Sequence, residues 1–114
     1  MEFMFIIWEG GDGAEAVRRE DAIAEMTVYA SGLAAQGKLR GGAPLEPPAQ
    51  GATVRKRRGS VSAVDGPYIE TKEVVGGYFI VEAGSLEEAV ELARGCPAAA
   101  FGGVEVRPVI PGVH

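Results

Sequence analysis

Residues 64–83 read VDGPYIETKEVVGGYFIVEA, and the way this stretch breaks decides the fold. Asp65-Gly66-Pro67 is a turn signal, because glycine accepts backbone angles that other residues avoid and proline pushes its predecessor away from helix. Beyond the charged residues Glu70, Lys72 and Glu73, the chain enters an apolar, β-branched and aromatic run that reads as one long strand over residues 73–83. Gly76-Gly77 inside it marks a bulge, or a place where another backbone or a ligand comes close. Both parities of this strand are apolar, with Tyr78 and Ile80 on one side and Phe79 and Val81 on the other, so both faces ask for cover.

Working outward, residues 53–57 and 61–64 alternate on either side of a Gly-containing turn and form a β-hairpin that the Asp65-Gly66-Pro67 turn ends. Residues 3–8 are apolar, too short for a typical helix and closed by Gly10-Gly11, as in a buried first strand. Between them lies one amphipathic helix over residues 14–36. Ile23, Met26, Thr27, Ala30, Leu33 and Ala34 share a face, Glu20, Asp21 and Glu25 lie on the other, and Gly37 supplies the C-cap. KLRGGAPLEPPAQG is a short extended segment that decays into a loop, since its prolines cannot donate ladder hydrogen bonds. After the long strand, Ser85 and Glu88 form a capping box ahead of a buried stripe of Leu86, Ala89, Val90 and Ala93, and this second helix ends at Gly95. GGVEVRPVI alternates and closes the chain as a strand.

The order is β-α-β, a hairpin, then β-α-β. It predicts an α+β domain of the ferredoxin-like, split βαβ type, an antiparallel sheet with two helices on one face and an extra β-hairpin. Two helices cover only one side of such a sheet. The other side calls for a second copy, and a homodimer with its sheets face to face is expected.

One domain over residues 1–114 is expected from the length. At 46% hydrophobic and 24% charged, the composition is that of a globular protein. The formal charge of −5 opposes phosphate backbones, so nucleic acid is not an expected partner. Arg55-Lys56-Arg57-Arg58 holds four of the eleven basic residues, and reads as a charged edge hairpin or as a contact for an acidic partner or an anionic ligand. No apolar run approaches the ~18 residues of a membrane span, and a cytoplasmic protein without a membrane partner is expected. A single cysteine allows no intrachain disulfide, and one His and one Cys do not make the usual zinc sets, so neither a metal nor another cofactor is expected. The glycine clusters fit neither a Walker A nor a dinucleotide fingerprint.

Asp65-Gly66-Pro67-Tyr68 with Glu70, Thr71, Lys72 and Glu73, then Gly76-Gly77-Tyr78, Glu88-Ala89, Pro97 and Val104-Glu105-Val106-Arg107-Pro108, resembles the DGPF branch of the YCII-related proteins, with DGPY in place of the name-giving tetrapeptide. The likeness runs in order over nearly the whole chain. It implies a dimeric α+β barrel-type assembly of two ferredoxin-like subunits, in a family whose members are mostly uncharacterised. It also implies an association with sigma factors of the extracytoplasmic-function class. Another branch of the family carries a His on the first helix and an Asp just before the Pro after the second; those neighbourhoods hold Met26 or Thr27 and Cys96 here, and the one histidine is His114.

Five residues are the candidates for a ligand or a reaction. Asp65 is either a turn residue bonding its own backbone or a carboxylate at a pocket edge. Glu70 and Lys72 share a face if the segment is extended, as a surface ion pair or as a grip on an anion. Tyr78 and Arg107 sit on strands, where packing and ion pairing compete with a pocket role. Cys96 reads as a small buried residue and not as a nucleophile. Three functions stay open: a small-molecule-binding, regulatory dimer with a pocket edged by Asp65, Lys72 and Tyr78; a cofactor-independent lyase, isomerase or oxygenase-like enzyme with Asp65 or Glu70 as base; and an interaction module for a sigma factor through Arg55–Arg58.

Overall fold

The computed structural model describes residues 1–11, 13–14, 16–66 and 72–112. Six strands and three helices follow in the order β1 (Glu2–Gly10), α1 (Arg19–Ala35), β2 (Leu39–Pro44), β3 (Ala52–Arg57), β4 (Ser60–Asp65), β5 (Glu73–Glu82), α2 (Leu86–Arg94), α3 (Ala98–Phe101) and β6 (Gly102–Pro108), with one 3₁₀ turn at Pro48–Gln50. The main sheet has the order β2-β5-β1-β6 and every neighbouring pair is antiparallel. Thus β1 and β2, joined by α1, are parallel with β5 between them, and β5 and β6 are split by β1 in the same way. Two interleaved split βαβ units are the ferredoxin-like fold. Strands β3 and β4 pair with each other as a separate two-stranded sheet.

Strand alternation builds the core. Phe3, Phe5 and Ile7 of β1 and Phe79, Val81 and Ala83 of the β5 side are buried against Leu33 of α1, Ala89 and Ala93 of α2, and Ala98 and Phe101 of α3. Burying each large apolar side chain contributes about 1.5–3 kcal/mol. Met4, Ile6 and Trp8 of β1 and Tyr78 and Ile80 of β5, on the other parity, remain half-buried on a face without helices.

Four expectations are adjusted, the first being that Leu86, placed in the buried stripe of α2, is 50% exposed at the start of the helix. The first helix begins at Arg19 and not at residue 14: Arg18, at φ −66° and ψ 140°, is still extended, and Gly10, Gly11 and Gly13 all adopt positive φ. Its packed face is Ala22, Met26, Tyr29, Ala30 and Leu33, while Ile23, Thr27 and Ala34 are exposed. A third helix follows Pro97, packing Ala98 and Phe101 into the core where only a connection was expected.

The caps follow the sequence closely. Gly37, at φ 72°, ends α1 by donating to the Ala34 carbonyl at 2.9 Å while Lys38 donates to Leu33 at 3.0 Å. At α2, Ser85 Oγ accepts from the Glu88 N–H at 3.1 Å, and the Glu88 carboxylate accepts from the Gly84 N–H, one residue further back than the usual box. That N–H, and then Lys38 3.4 Å from the carboxylate, hold Glu88 below the usual carboxylate range.

Candidate functional site

The β5 glycines create the site. Ile7 faces Gly77 and Trp8 faces Val75, so Gly76 is an extra residue bulged out of the β1–β5 ladder. A Cβ at Gly76 would collide with the carboxylate of Glu9, which lies directly over it. Glu9 is held there by Arg19, whose Nη1 is 3.3 Å from Glu9 Oε2 and whose Nη2 donates to the Leu45 carbonyl. Leu45 in turn donates its N–H to Gly76 O at 2.9 Å. The end of β1, the first residue of α1, the loop after β2 and the β5 bulge therefore meet at one ion pair. A cation at a helix N-terminus is opposed by the helix dipole; here Glu9 and a carbonyl compensate Arg19.

Behind this pair, between α1 and the sheet, lies a cavity of about 190 Å³. Its walls are mostly apolar: Ile7, Ala22, Ile23, Met26, Ala30, Leu39, Phe79 and Phe101, with Thr27 and the backbone-rich stretches 42–44 and 76–78. Thr27 spends its hydroxyl on the Ile23 carbonyl at 2.8 Å. Glu9 and Arg19 are the charged side chains among the described lining residues, and both are about one-third exposed. The result is an apolar slot with one acceptor and one donor at its end.

The residues singled out from the sequence are dispersed. Tyr78 lines the cavity, opposite Ile6 and Ala43 in the sheet, with alternation placing its ring on the face away from Phe79. Asp65 ends β4, exposed, where Gly66 at φ 80° donates to Gly51 O and accepts from Thr53 Oγ1, both at 2.7 Å. Lys72 is exposed beside the end of β1, its carbonyl accepting from Gly11 at 3.1 Å. Arg107 lies on β6 with its Nε 3.9 Å from Glu105 Oε2, and Glu105 accepts from Trp8 Nε1 at 3.1 Å. Glu70, together with Pro67, Tyr68, Thr71 and His114, lies outside the described residues. Of the five candidates, Tyr78 is the one among the described lining residues of the cavity.

Glu9 and Arg19 escaped the sequence reading. Their signal was the glycine pair: a bulge glycine implies a neighbour that needs the space of a Cβ.

Cys96 is 3% exposed, with its Sγ 3.7 Å from Met26 Sδ. Burial pushes its thiol up to about 11, which removes the thiolate that a nucleophile needs. Tyr29 likewise does not line the cavity: its hydroxyl donates to Leu92 O at 2.7 Å, its ring lies 5.9 Å from that of Phe79, and its pKa is raised by burial and then by Cys96.

The family model for the YCII-related domain matches residues 1–112. An uncharacterised protein of Rhizobium meliloti (strain 1021) is 40% identical over 75 residues, which make up 64% of this chain and 60% of that relative. The match thus spans less than two thirds of the relative's length. Among solved structures, 5-chloro-2-hydroxyhydroquinone dehydrochlorinase from Burkholderia phenoliruptrix AC1100, in complex with 2,5-dihydroxybenzoquinone, aligns over 96% of this chain and 94% of that one, with a TM-score of 0.53 and 22% identity. At that identity the likeness is one of fold.

Proposed function

Starting from a chain that belongs to the YCII-related domain family, we propose that it binds a small, single-ring, hydroxylated molecule in the cavity between α1 and the sheet. The observation that carries this reading is an apolar slot of about 190 Å³ closed at one end by the Glu9–Arg19 pair. An apolar cavity of roughly 150 Å³ accepts benzene, so this slot matches one ring and not a nucleotide or a lipid. A ring hydroxyl donates to the Glu9 carboxylate, and a carbonyl or phenolate oxygen on the same ring accepts from Arg19. The dihydroxybenzoquinone bound by the structural neighbour belongs to this chemical class, which supports the reading by analogy of fold.

Calorimetric titration with hydroquinone, catechol and dihydroxybenzoquinone tests it. Binding by the wild type, weakened at least tenfold in Glu9→Gln and in Ile23→Trp, which fills the slot from its rim, is the expected result. If none of the three binds, or binding is indifferent to both variants, the cavity is not the site.

A second reading, favoured by a carboxylate standing at the slot, is that the same site transfers a proton, with Glu9 as the base in place of Asp65 or Glu70. A pH–rate profile whose carboxylate limb disappears in Glu9→Gln would support it; an unchanged profile would sink it. The half-buried face of Met4, Ile6, Trp8, Tyr78 and Ile80 further supports a homodimer in which a second copy's sheet covers it.

A further inference from the structure

The hairpin β3–β4 is the part of the molecule that the cavity leaves unexplained. It is a two-stranded sheet of its own, an arrangement that is marginally stable in water unless something packs on it. The chain's radius of gyration, 15.5 Å, exceeds the roughly 13 Å of a compact domain of this length, as expected when an element projects as an arm. On one face of this arm, Val54 opposite Ala63 and Lys56 opposite Val61 line up by register. Val54 and Val61 are 66% and 67% exposed. β-branched residues favour half-buried strands, so this face is built to be covered.

Charge indicates by what. Lys56, Arg57 and Arg58 gather at the arm's tip, where Arg58 at φ 51° and Gly59 at φ 82° make the turn, and Arg55 stands just behind them, half-buried on the opposite face of the hairpin. The chain has 11 Lys and Arg against 16 Asp and Glu; with four basic residues and Asp65 on the arm, seven remain against fifteen, and the rest of the molecule carries a net −8. The exposed Glu20, Asp21 and Glu25 of α1 form part of that acidic surface. We propose that the arm docks on a second copy of this chain, covering Val54 and Val61 and setting its basic tip against the acidic body of the other subunit. A twofold arrangement makes this contact twice. It uses a different sheet from the face-to-face contact and does not depend on the cavity.

Sedimentation velocity on the full chain tests the proposal with two variants, one with Arg55, Lys56, Arg57 and Arg58 all changed to Glu, the other with Glu20, Asp21 and Glu25 all changed to Lys. Circular dichroism first establishes that both are folded. The wild type is expected to self-associate, with a Kd that rises at least tenfold between low and high salt and at least tenfold in either variant. The acidic-tip variant and the basic-body variant should restore association when mixed, because each supplies the charge the other lacks. Wild-type self-association unmoved by both variants, the absence of self-association, or an arm that recognises only a different acidic protein would each overturn it.

Discussion

Gly76 is the residue on which the site turns. Alanine there forces Glu9 off its position and away from Arg19, an overpacking change that costs about 1–3 kcal/mol. We expect urea denaturation of Gly76→Ala to show that loss, and Glu9→Ala in the same background to recover most of it, a coupling that a double-mutant cycle reads directly. Independent, additive effects would mean that Glu9 does not occupy the space above the bulge. Cys96 gives a second test at this scale. Its folded-state pKa, about 11, stands above the ordinary 9.0, so the unfolded chain loses the proton first as pH rises. Stability from this group is therefore fully present below pH 9 and is lost as pH climbs through about 11. The melting temperature should fall across that window, and Cys96→Ala should flatten the fall in part, since Tyr29 is shifted in the same direction. At pH 8 the native thiol should resist iodoacetamide while the urea-unfolded thiol reacts; equal rates would show that it is not buried.

Among the elements, those governed by local signals were legible in the sequence. Ser85 with Glu88 announced α2, Gly37 and Gly95 announced helix ends, and Gly76-Gly77 announced the bulge of β5. Ser85→Ala should cost about 0.5–2 kcal/mol by removing the Oγ acceptor from the Glu88 N–H, measured by chemical denaturation. A loss below a few tenths would show that the Glu88–Gly84 contact alone secures this end. The elements missed were those set by tertiary contacts. The start of α1 coincides with Glu9 receiving Arg19 across the sheet edge, after an extended Arg18, and α3 exists because Ala98 and Phe101 find the core. The candidate site was legible in the same proportion. Tyr78 stands on the right strand, but the charged residues favoured from the DGPY turn lie on other parts of the chain or outside the described residues. The Glu9–Arg19 pair is invisible locally because its members belong to different elements.

At the scale of the whole molecule, helices occupy one face of the sheet and an apolar patch rimmed by Trp8, Glu105 and Arg107 occupies the other. No helix among the described residues is long and apolar enough to cross a membrane, and the proposed homodimer covers this face with a second copy's sheet. Ile6→Lys places a charge at its centre and should reduce the mass seen by light scattering while leaving the helical signal intact; an unchanged mass would remove this face from the dimer account. Binding in the slot under α1 is read most directly by a ¹³C-methyl NMR titration with hydroquinone and dihydroxybenzoquinone. The methyl signals of Ile7, Ile23, Met26 and Leu39 should move together and saturate while those of Val54 and Ile110 stay fixed. Cavity methyls that remain still through both titrations, or that move just as much in Ile23→Trp, would contradict it.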